Sequence, residues 1–248
     1  MRFLPWWRGR RISGPAGNRL ARFRKVLEVA QAVPIYAPSF RSAKLDGKRA
    51  LDRITDIEFT LKRLGVFTLE QVRVRPNRGI AAPVVFTSPL LMASTPDLSW
   101  NSAGCAILRD GFGTRRPRRA LLIRTGLDEG LLSPIERDGL WQRHGVPMFE
   151  HLVGMDGALL AWECETHAGL HVIEENVVFE LVQGELLLTS LTDLAQPTLQ
   201  MRTGWSARIE TEPCDCGRPG RRLIDLHDLA PRAAWRNRQD RAASAAHS

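Results

Sequence analysis

The chain has 248 residues, of which 44% are hydrophobic and 25% are charged, and this size and balance are typical of one large or two small globular domains. No apolar run approaches the roughly 18 residues that a membrane-spanning helix needs, so we expect no membrane span. The four cysteines are too few for a disulfide framework, which favours a reducing, cytoplasmic location.

The net charge of +8 and the isoelectric point near 10.1 raise the hypothesis of nucleic-acid binding. All but four of the 35 Lys and Arg residues are Arg. They are spread along the chain, and no aromatic side chains alternate with them in a pattern that would stack bases. We therefore expect a solvated, Arg-rich surface, and nucleic acid is not the expected partner.

The first 80 residues are predicted to be mostly helical. Residues 1–17 are basic and lack the apolar stretch of a secretory signal, so we expect a frayed tail. The helical segment 18–80 opens with a candidate N-cap, Asn18, and one or two further helices are expected within 47–65, ending at Gly65. Its first apolar residues recur at helical spacing: Leu20, Phe23, Val26, Leu27 and Ala30.

Residues 81–222 are predicted to form an α/β core. Apolar runs at 82–94 and 118–126 are strand candidates. The stretch SPIERDGLWQRHG, residues 133–145, has the signature of a capped helix, with Ser at the N-cap, Pro at the first position, Glu at the third and Gly after the last turn. A buried strand is expected over 146–154.

A strand-rich region is expected from 158 to 210. Apolar and polar residues alternate in NVVFELV, and the sequence QGE that follows is typical of a hairpin turn. Residues 223–248 are expected to be a C-terminal tail. The predicted fold class is mixed α/β, with a helical N-terminal segment followed by the strand-rich part.

Two short segments contain Cys and His residues in a pattern that suggests a metal site. The first, WECETHAGLH, supplies Cys164, His167 and His171, and the second, CDCGR, supplies Cys214 and Cys216. A structural zinc site takes four Cys or His ligands in a tetrahedron, usually from two separate segments. The sequence therefore predicts a zinc site that joins these two segments.

The residues leave two points open. The C-x-C spacing is less usual than C-x2-C, and the alternative is that Cys164 packs in a strand while the C-x-C pair is unligated or redox-active. The fourth ligand is either His167 or His171, and spacing alone does not choose between them. Cys105 has no companion and is expected to be a packing residue.

Five segments resemble, in order, the phenylacetate–CoA ligase family of adenylate-forming enzymes, which join an aryl carboxylate to AMP and then to coenzyme A. The likeness is good over 130–222 and weaker over 18–78. The segments are LLSPIERDGLWQRHGVPMFEHL, LLAWECETHAGLHVIEENVVFELV, GELLLTSLT, PTLQMRTG and EPCDCGR. This resemblance implies that the strand-rich part is the zinc-stapled half of an adenylate-forming-enzyme-like domain.

The resemblance also implies a ligand set for the metal. Some members of the family hold zinc with one Cys, the His of the GLH pattern and a C-x-C pair. Carried over to this chain, that selects Cys164, His171, Cys214 and Cys216, with His167 as the second choice for the histidine.

In the family, the RTG stretch borders the nucleotide pocket, which implies Arg202 and Thr203 as contacts of ATP or AMP. The residues themselves allow another role for Arg202, an ion pair with Glu180 or Glu185 across the sheet.

The chain departs from the family pattern in four places. It lacks the Ser/Thr/Gly-rich phosphate loop, and where the family has a magnesium-binding Glu it offers only Asp156 as a stand-in. The Asp that would bind the ribose is replaced by Trp205, and the C-terminal domain with its catalytic Lys has no counterpart after Cys216. These losses remove phosphate, magnesium and ribose binding and the cation for the transferring charge, so we predict no catalytic residues.

The sequence thus predicts a pseudoenzyme, a shortened and divergent family member that acts as a zinc-stabilised binding or accessory protein. Its expected cofactor is a structural Zn²⁺, and its expected partner is a small carboxylic acid or another protein. The alternative is an active AMP-forming acyl- or aryl-CoA ligase that uses ATP and coenzyme A. A second alternative is a basic nucleic-acid-binding protein.

Overall fold

The structure of the protein is a computed structural model that describes residues 17–68, 71, 99–100, 121–127, 130–145 and 147–230. The basic tail before residue 17, the strand candidate at 82–94, Cys105 and the segment from 231 onwards lie outside the described residues.

Four helices occupy the first described segment: α1 Gly17–Ala30, α2 Ala37–Ser42, α3 Lys48–Asp52 and α4 Ile57–Leu64. α1, α3 and α4 lie where the sequence predicts helices, whereas α2 was not predicted. α1 begins one residue before Asn18, so that residue lies in its first turn and is not the N-cap. The side chain of Asp56 caps α4 by accepting a hydrogen bond from the backbone of Phe59, and the helix ends before Gly65, as predicted. In the described part of the chain, no helix is long and apolar enough to cross a membrane.

Helix α5, Pro134–His144, has the caps that its sequence predicts. The hydroxyl of Ser133 accepts a hydrogen bond from the backbone of Glu136, whose side chain accepts one from the backbone of Ser133. This reciprocal capping box satisfies backbone donors that the first helical turn cannot pair. Gly145 ends the helix with a left-handed backbone, φ 60°.

In the described part of the chain, ten strands form two sheets: β1 Ser99–Trp100, β2 Leu121–Gly126, β3 Met148–Val153, β4 Leu159–Glu163, β5 Leu170–Val172, β6 Val177–Val182, β7 Glu185–Ser190, β8 Met201–Arg202, β9 Trp205–Glu210 and β10 Arg222–Asp228. The larger sheet has seven strands in the order β1-β2-β3-β4-β5-β10-β9. Its first three strands are parallel and the remaining neighbours are antiparallel. The described residues thus form a mixed α/β fold, as predicted.

The smaller sheet has three antiparallel strands in the order β6-β7-β8. The predicted hairpin joins β6 to β7 through Gln183 and Gly184, whose φ angles of 52° and 81° are both positive. Positive φ at both central residues is what the commonest two-residue hairpin turn requires.

Two apolar stretches that read as continuous from the sequence are divided between the sheets. GLHVIEENVVFELV contributes β5 to the larger sheet and β6 to the smaller one, with a polar turn at 174–176 between them. In the same way, TLQMRTGWSARIE supplies β8 and β9. A short polar turn is enough to move the chain from one sheet to the other, and hydrophobicity alone does not reveal it.

One main core joins the helices to both sheets. Its fully buried side chains come from α1, α2, α4, β3, β4, β6, β7, β8 and β10, among them Phe23, Leu27, Leu61, Leu160, Val177, Leu186 and Leu223. Strand β10 continues to Asp228, six residues beyond the predicted end of the core at residue 222. The segment that begins at residue 223 therefore includes a strand of the larger sheet, and the rest of the predicted tail lies outside the described residues.

Candidate metal centre

The two Cys/His segments meet over one face of the larger sheet. β4 and β5 are antiparallel neighbours that pair Trp162 with His171. Since alternate residues of a strand point to the same side, Trp162 and Cys164 lie on the same side as His171. The loop between β9 and β10 folds onto this side and adds Cys214 to a small apolar cluster with Trp162 and Cys164.

Four potential ligands converge there, and their donor atoms all lie within 4.8 Å of one another: Cys164, His171, Cys214 and Cys216. The sulfur atoms of Cys164 and Cys214 are 3.7 Å apart, and the sulfur of Cys216 is 3.4 Å from Nε2 of His171. Zn–S bonds of about 2.3 Å and Zn–N bonds of about 2.0 Å in a tetrahedron place neighbouring ligand atoms roughly 3.5–3.8 Å apart. The two measured distances are therefore close to those of a zinc site.

His167 lies outside this cluster. Its Nδ1 is 2.9 Å from Oε1 of Glu163, and its ring stacks on Phe149 with 5.3 Å between the ring centroids. The side chain of His167 is 43% exposed, whereas His171 is 4% exposed. Of the two histidines that the sequence left open, the structure brings His171 to the three cysteines.

Local backbone geometry shapes both ligand loops. Gly217, next to Cys216, has a φ of 76°, and its backbone nitrogen donates a hydrogen bond to the carbonyl oxygen of Cys214. This tight turn holds the two cysteines of the C-x-C pair close together. In the other loop, Gly169 has a φ of 97°, and a Cβ there would lie 2.5 Å from the carbonyl oxygen of Leu223. Glycine therefore allows β10 to approach the loop that precedes His171.

Two residues of the cluster, His171 and Cys214, have pKa values shifted in the direction that a metal ligand needs. Burial, together with the positive charges of Arg218 and Arg222, lowers the pKa of His171 to about 4. The imidazole is therefore neutral at neutral pH, as a metal ligand must be. Burial opposes ionisation of Cys214, but hydrogen bonds from Thr166 and Cys216 outweigh it and lower the pKa of that thiol to about 7.

Burial also opposes ionisation of Cys216 and, with its cysteine neighbours, raises the pKa of its thiol to about 11. Two thiols whose protons interact in this way are expected to ionise one after the other. A bound divalent cation would supply the positive charge that permits all three thiolates at once.

Two arginines tie the two ligand loops to each other. Arg218 donates to Glu165 at 3.0 Å, and its guanidinium lies 5.1 Å above the ring of Trp162. That indole ring in turn stacks on His171, with ring centroids 5.3 Å apart. Arg222 donates to the carbonyl oxygens of Ala168, in the first loop, and Glu212, in the second.

The donor set fits zinc better than a hard cation. Three thiols and an imidazole are ligands of the soft to intermediate type that zinc prefers, whereas magnesium and calcium select oxygen ligands. Three thiolates around Zn²⁺ leave one net negative charge, and Arg218 and Arg222 lie close enough to offset it. The sequence and the resemblance together selected the four residues of the cluster. They did not identify these arginines, Trp162 or Thr166, because those contacts join distant segments.

The two residues that the resemblance implied as nucleotide contacts are bonded within the protein. Arg202 donates from Nε to Oε2 of Glu185 at 2.7 Å, and its Nη2 lies 2.5 Å from the same oxygen. The hydroxyl of Thr203 donates to the carbonyl oxygen of Leu186 at 2.6 Å. Of the two carboxylates proposed as partners for Arg202, Glu185 is the one used, and Glu180 instead accepts a hydrogen bond from Gln200.

Asp156, the possible stand-in for a magnesium ligand, stabilises its own turn. Its Oδ1 accepts a hydrogen bond from the backbone nitrogen of Ala158 at 3.1 Å. Trp205, which the resemblance aligns with a ribose-binding Asp, is 3% exposed. Its backbone nitrogen donates to the hydroxyl of Thr203. The sequence RTGW is therefore held as a turn between β8 and β9.

No family model and no curated protein sequence matches the chain. Three solved structures of 2-hydroxyisobutyryl-CoA ligase resemble it. An open conformation in complex with 2-HIB-AMP and CoA has a TM-score of 0.56 and 12% sequence identity, and covers 84% of this chain and 68% of the ligase chain. The thioesterification state in complex with the same ligands has a TM-score of 0.58 and 13% identity, over 88% of this chain and 69% of the ligase.

A third structure, the postadenylation state of the ligase in complex with R3-HIB-AMP, has a TM-score of 0.54 and 12% identity, over 87% of this chain and 69% of the ligase. Over the matched 68–69% of the ligase, this chain and the ligase share a fold. A ligase-like fold is what the resemblance implied. The function must be argued from the site, because one fold supports many activities.

Proposed function

We propose that the protein is a shortened, divergent relative of the phenylacetate–CoA ligase-like enzymes that has lost ATP-dependent carboxylate activation. In this proposal it acts as a zinc-stabilised binding or accessory protein. The proposal is supported by a contrast between the Cys/His cluster and the two residues implied as nucleotide contacts. The cluster of three cysteines and His171 is assembled, while Arg202 and Thr203 are engaged in internal hydrogen bonds.

The metal part of the proposal rests on the chemistry and position of the ligands. Cys164 and Cys214 are 1% and 4% exposed, so a bound ion would be shielded from water and competing ligands. When bound, zinc supplies structural cross-linking of the two loops, because a closed tetrahedral site leaves no position for a substrate. Arg218 and Arg222 are the residues that we propose to keep the loops aligned for it.

The contacts of the RTG turn, residues 202–204, support the proposed loss of ATP-dependent carboxylate activation. To bind a nucleotide, Arg202 would have to give up its pairing with Glu185, a buried carboxylate that also accepts a hydrogen bond from the backbone of Gly204. An unpaired buried carboxylate is costly. The buried indole of Trp205 offers no acceptor to a ribose hydroxyl. These contacts support a structural role for the turn.

The basic composition does not favour nucleic acid as the partner. Many of the described arginines donate to acidic side chains or backbone carbonyls, and a guanidinium used in this way is less available to a phosphate. They are Arg22, Arg24, Arg137, Arg202, Arg218, Arg221 and Arg222. We therefore propose a small carboxylic acid or a protein as the partner.

Two measurements on the purified full-length chain test the proposal. Elemental analysis is expected to find one zinc ion per chain. His171→Ala should lose the ion, and the matched control His167→Ala should keep it. Calorimetric titration with ATP and Mg²⁺ is expected to show no binding.

Micromolar binding of ATP would instead support an active ligase. If the wild-type protein contains no metal after growth and refolding in the presence of zinc, the proposed zinc binding is refuted. Equal zinc contents in the two histidine variants would refute the proposed ligand set.

A further inference from the structure

The three sulfur atoms of the metal cluster are not equivalent. Those of Cys164 and Cys214 are in contact at 3.7 Å, and both also contact the hydroxyl of Thr166, at 3.0 and 3.3 Å. The sulfur of Cys216 contacts His171. Cys164 and Cys214 thus form a dithiol pair, and Cys216, which also interacts with Cys214, lies against the imidazole of His171.

Contacts that involve no ligand atom hold the dithiol pair together. Arg218 joins its loop to Glu165, one residue after Cys164. Arg222 bonds to the carbonyl oxygen of Glu212, two residues before Cys214, and to that of Ala168. Strands β5 and β10 are also paired directly beside the loops. The proximity of the two sulfurs therefore has support from contacts within the protein itself.

We propose that Cys164 and Cys214 form a reversible disulfide, so that the cluster alternates between a metal-binding dithiol state and an oxidised state that cannot hold the ion. With hydrogen peroxide as oxidant, the two thiols give up two electrons and two protons, one S–S bond forms, the O–O bond breaks, and two molecules of water are produced. If a divalent ion is bound, two thiolates supply the electrons, solvent supplies the protons, and the ion is released.

Geometry favours this pair over the other combinations. A disulfide needs an S–S bond of about 2.05 Å and Cα atoms roughly 4.4–6.8 Å apart. Two sulfurs already in contact must approach by less than 2 Å. Cys214 and Cys216 are separated by one residue within a tight turn, where that geometry is strained, and Cys216 faces His171. Because Cys164 and Cys214 are buried, a small oxidant such as peroxide is the appropriate probe.

The test uses the full-length chain with Cys105→Ser, so that three cysteines remain. After chelation under reducing conditions and desalting, the protein is treated with hydrogen peroxide. Remaining thiols are alkylated, and peptides are mapped by mass spectrometry with and without dithiothreitol. We expect the loss of two of the three free thiols, a Cys164–Cys214 cross-linked peptide, and an alkylated Cys216. Dithiothreitol should restore all three thiols.

Two variants and a zinc-loaded arm complete the design. Cys216→Ser keeps Cys164 and Cys214 and should still form the disulfide. Cys164→Ser leaves only Cys214 and Cys216 and should form no disulfide within the chain. In the loaded arm, a chromophoric chelator should detect one zinc ion released per disulfide. Circular dichroism checks that each variant is folded.

A Cys214–Cys216 cross-link, oxidation of single cysteines to sulfinic acid without a cross-link, or three unchanged thiols would each overturn the inference. So would zinc release without a disulfide. The metal-free arm tests the dithiol even if the protein binds no zinc, so that failure of the metal proposal and failure of this inference are distinguishable.

Discussion

The hydroxyl of Tyr36 donates a hydrogen bond of 2.6 Å to the carbonyl oxygen of Pro197. Tyr36 immediately precedes α2, whereas Pro197 lies between β7 and β8. The same ring meets Phe67 edge to face, with 4.6 Å between the centroids. Burial raises the pKa of Tyr36 to about 12, so it is the protonated hydroxyl that makes this bond. The contact fastens the helical segment to the strand-rich part of the fold.

Replacing Tyr36 by Phe should lower the free energy of unfolding by about 1–3 kcal/mol, because the ring still packs but the carbonyl of Pro197 loses a buried donor. Urea denaturation followed by circular dichroism measures the change. A stability equal to that of the wild type would mean that water replaces the hydroxyl and that the bond does not fasten the two parts.

Arg137→Met should be among the most destabilising single changes in the described residues. Arg137 lies 2.9 Å from Glu163 and 3.5 Å from Glu150, both buried carboxylates. Removal of the shared cation should cost about 3–5 kcal/mol, measured by urea denaturation. The double variant Arg137→Met/Glu150→Gln should recover part of the loss.

Arg208→Met is the control for Arg137, since its ion pair with Asp225 is exposed on both sides. It should change the denaturation midpoint little. Equal effects of the two arginine substitutions would contradict the role assigned to burial.

Gly169→Ala should destabilise the protein more than Gly184→Ala. Both glycines have positive φ angles, 97° and 81°, which cost a residue with a Cβ about 1–2 kcal/mol. Only at the first of these two positions does the added Cβ meet other atoms, 2.5 Å from both the backbone of Leu223 and the side chain of Ile224. Thermal melts of the two variants provide the comparison, and a larger loss at Gly184 would be the contrary result.

The carboxyl group of Asp193 should make stability depend on pH. Burial raises its pKa to about 6, from an ordinary value near 3.8. Its folded form therefore holds a proton more tightly than its unfolded form, and its contribution to stability is present below pH 4 and is lost as pH rises through 6. A shift of about two units corresponds to up to about 3 kcal/mol.

Asp193→Asn keeps an oxygen that can accept the hydrogen bond from Gln196 and should not show this loss. The free energy of unfolding of the variant minus that of the wild type should be larger at pH 7.5 than at pH 4. Urea denaturation of both proteins at both pH values measures this difference. A difference between the two proteins that does not change with pH would show that Asp193 titrates alike when folded and unfolded.

The convergence of Cys164, Cys214 and Cys216 could be predicted because cysteine is scarce in this chain and these three positions fall in two segments. The choice of His171 over His167 followed from the resemblance, and spacing did not provide it. The structure supplies the physical reason: His171 belongs to β5 and pairs with Trp162, whereas His167 lies in the preceding loop with a left-handed backbone, φ 53°, and contacts Glu163.

Helices were easier to predict than strands. The capping box of α5 involves residues three apart, so the sequence contains the whole signal. Strands β5 and β8 have only three and two residues, too few for any periodicity to show, and their sheets are set by partners far away in the chain. The pairing of Arg222 with His171 is of this kind.

The short loop between β9 and β10 covers one side of strand β4. Four of its five residues are buried, with Leu160 in the main core and Trp162 beneath the β9–β10 loop. In most α/β folds a whole amphipathic helix shields the second side of a sheet. Among the described residues, the eleven mostly polar residues between β9 and β10 cover Trp162. An ion bound by Cys214 and Cys216 would add to this cover. The exposure of this side of the sheet to water would then depend on whether a metal ion is bound.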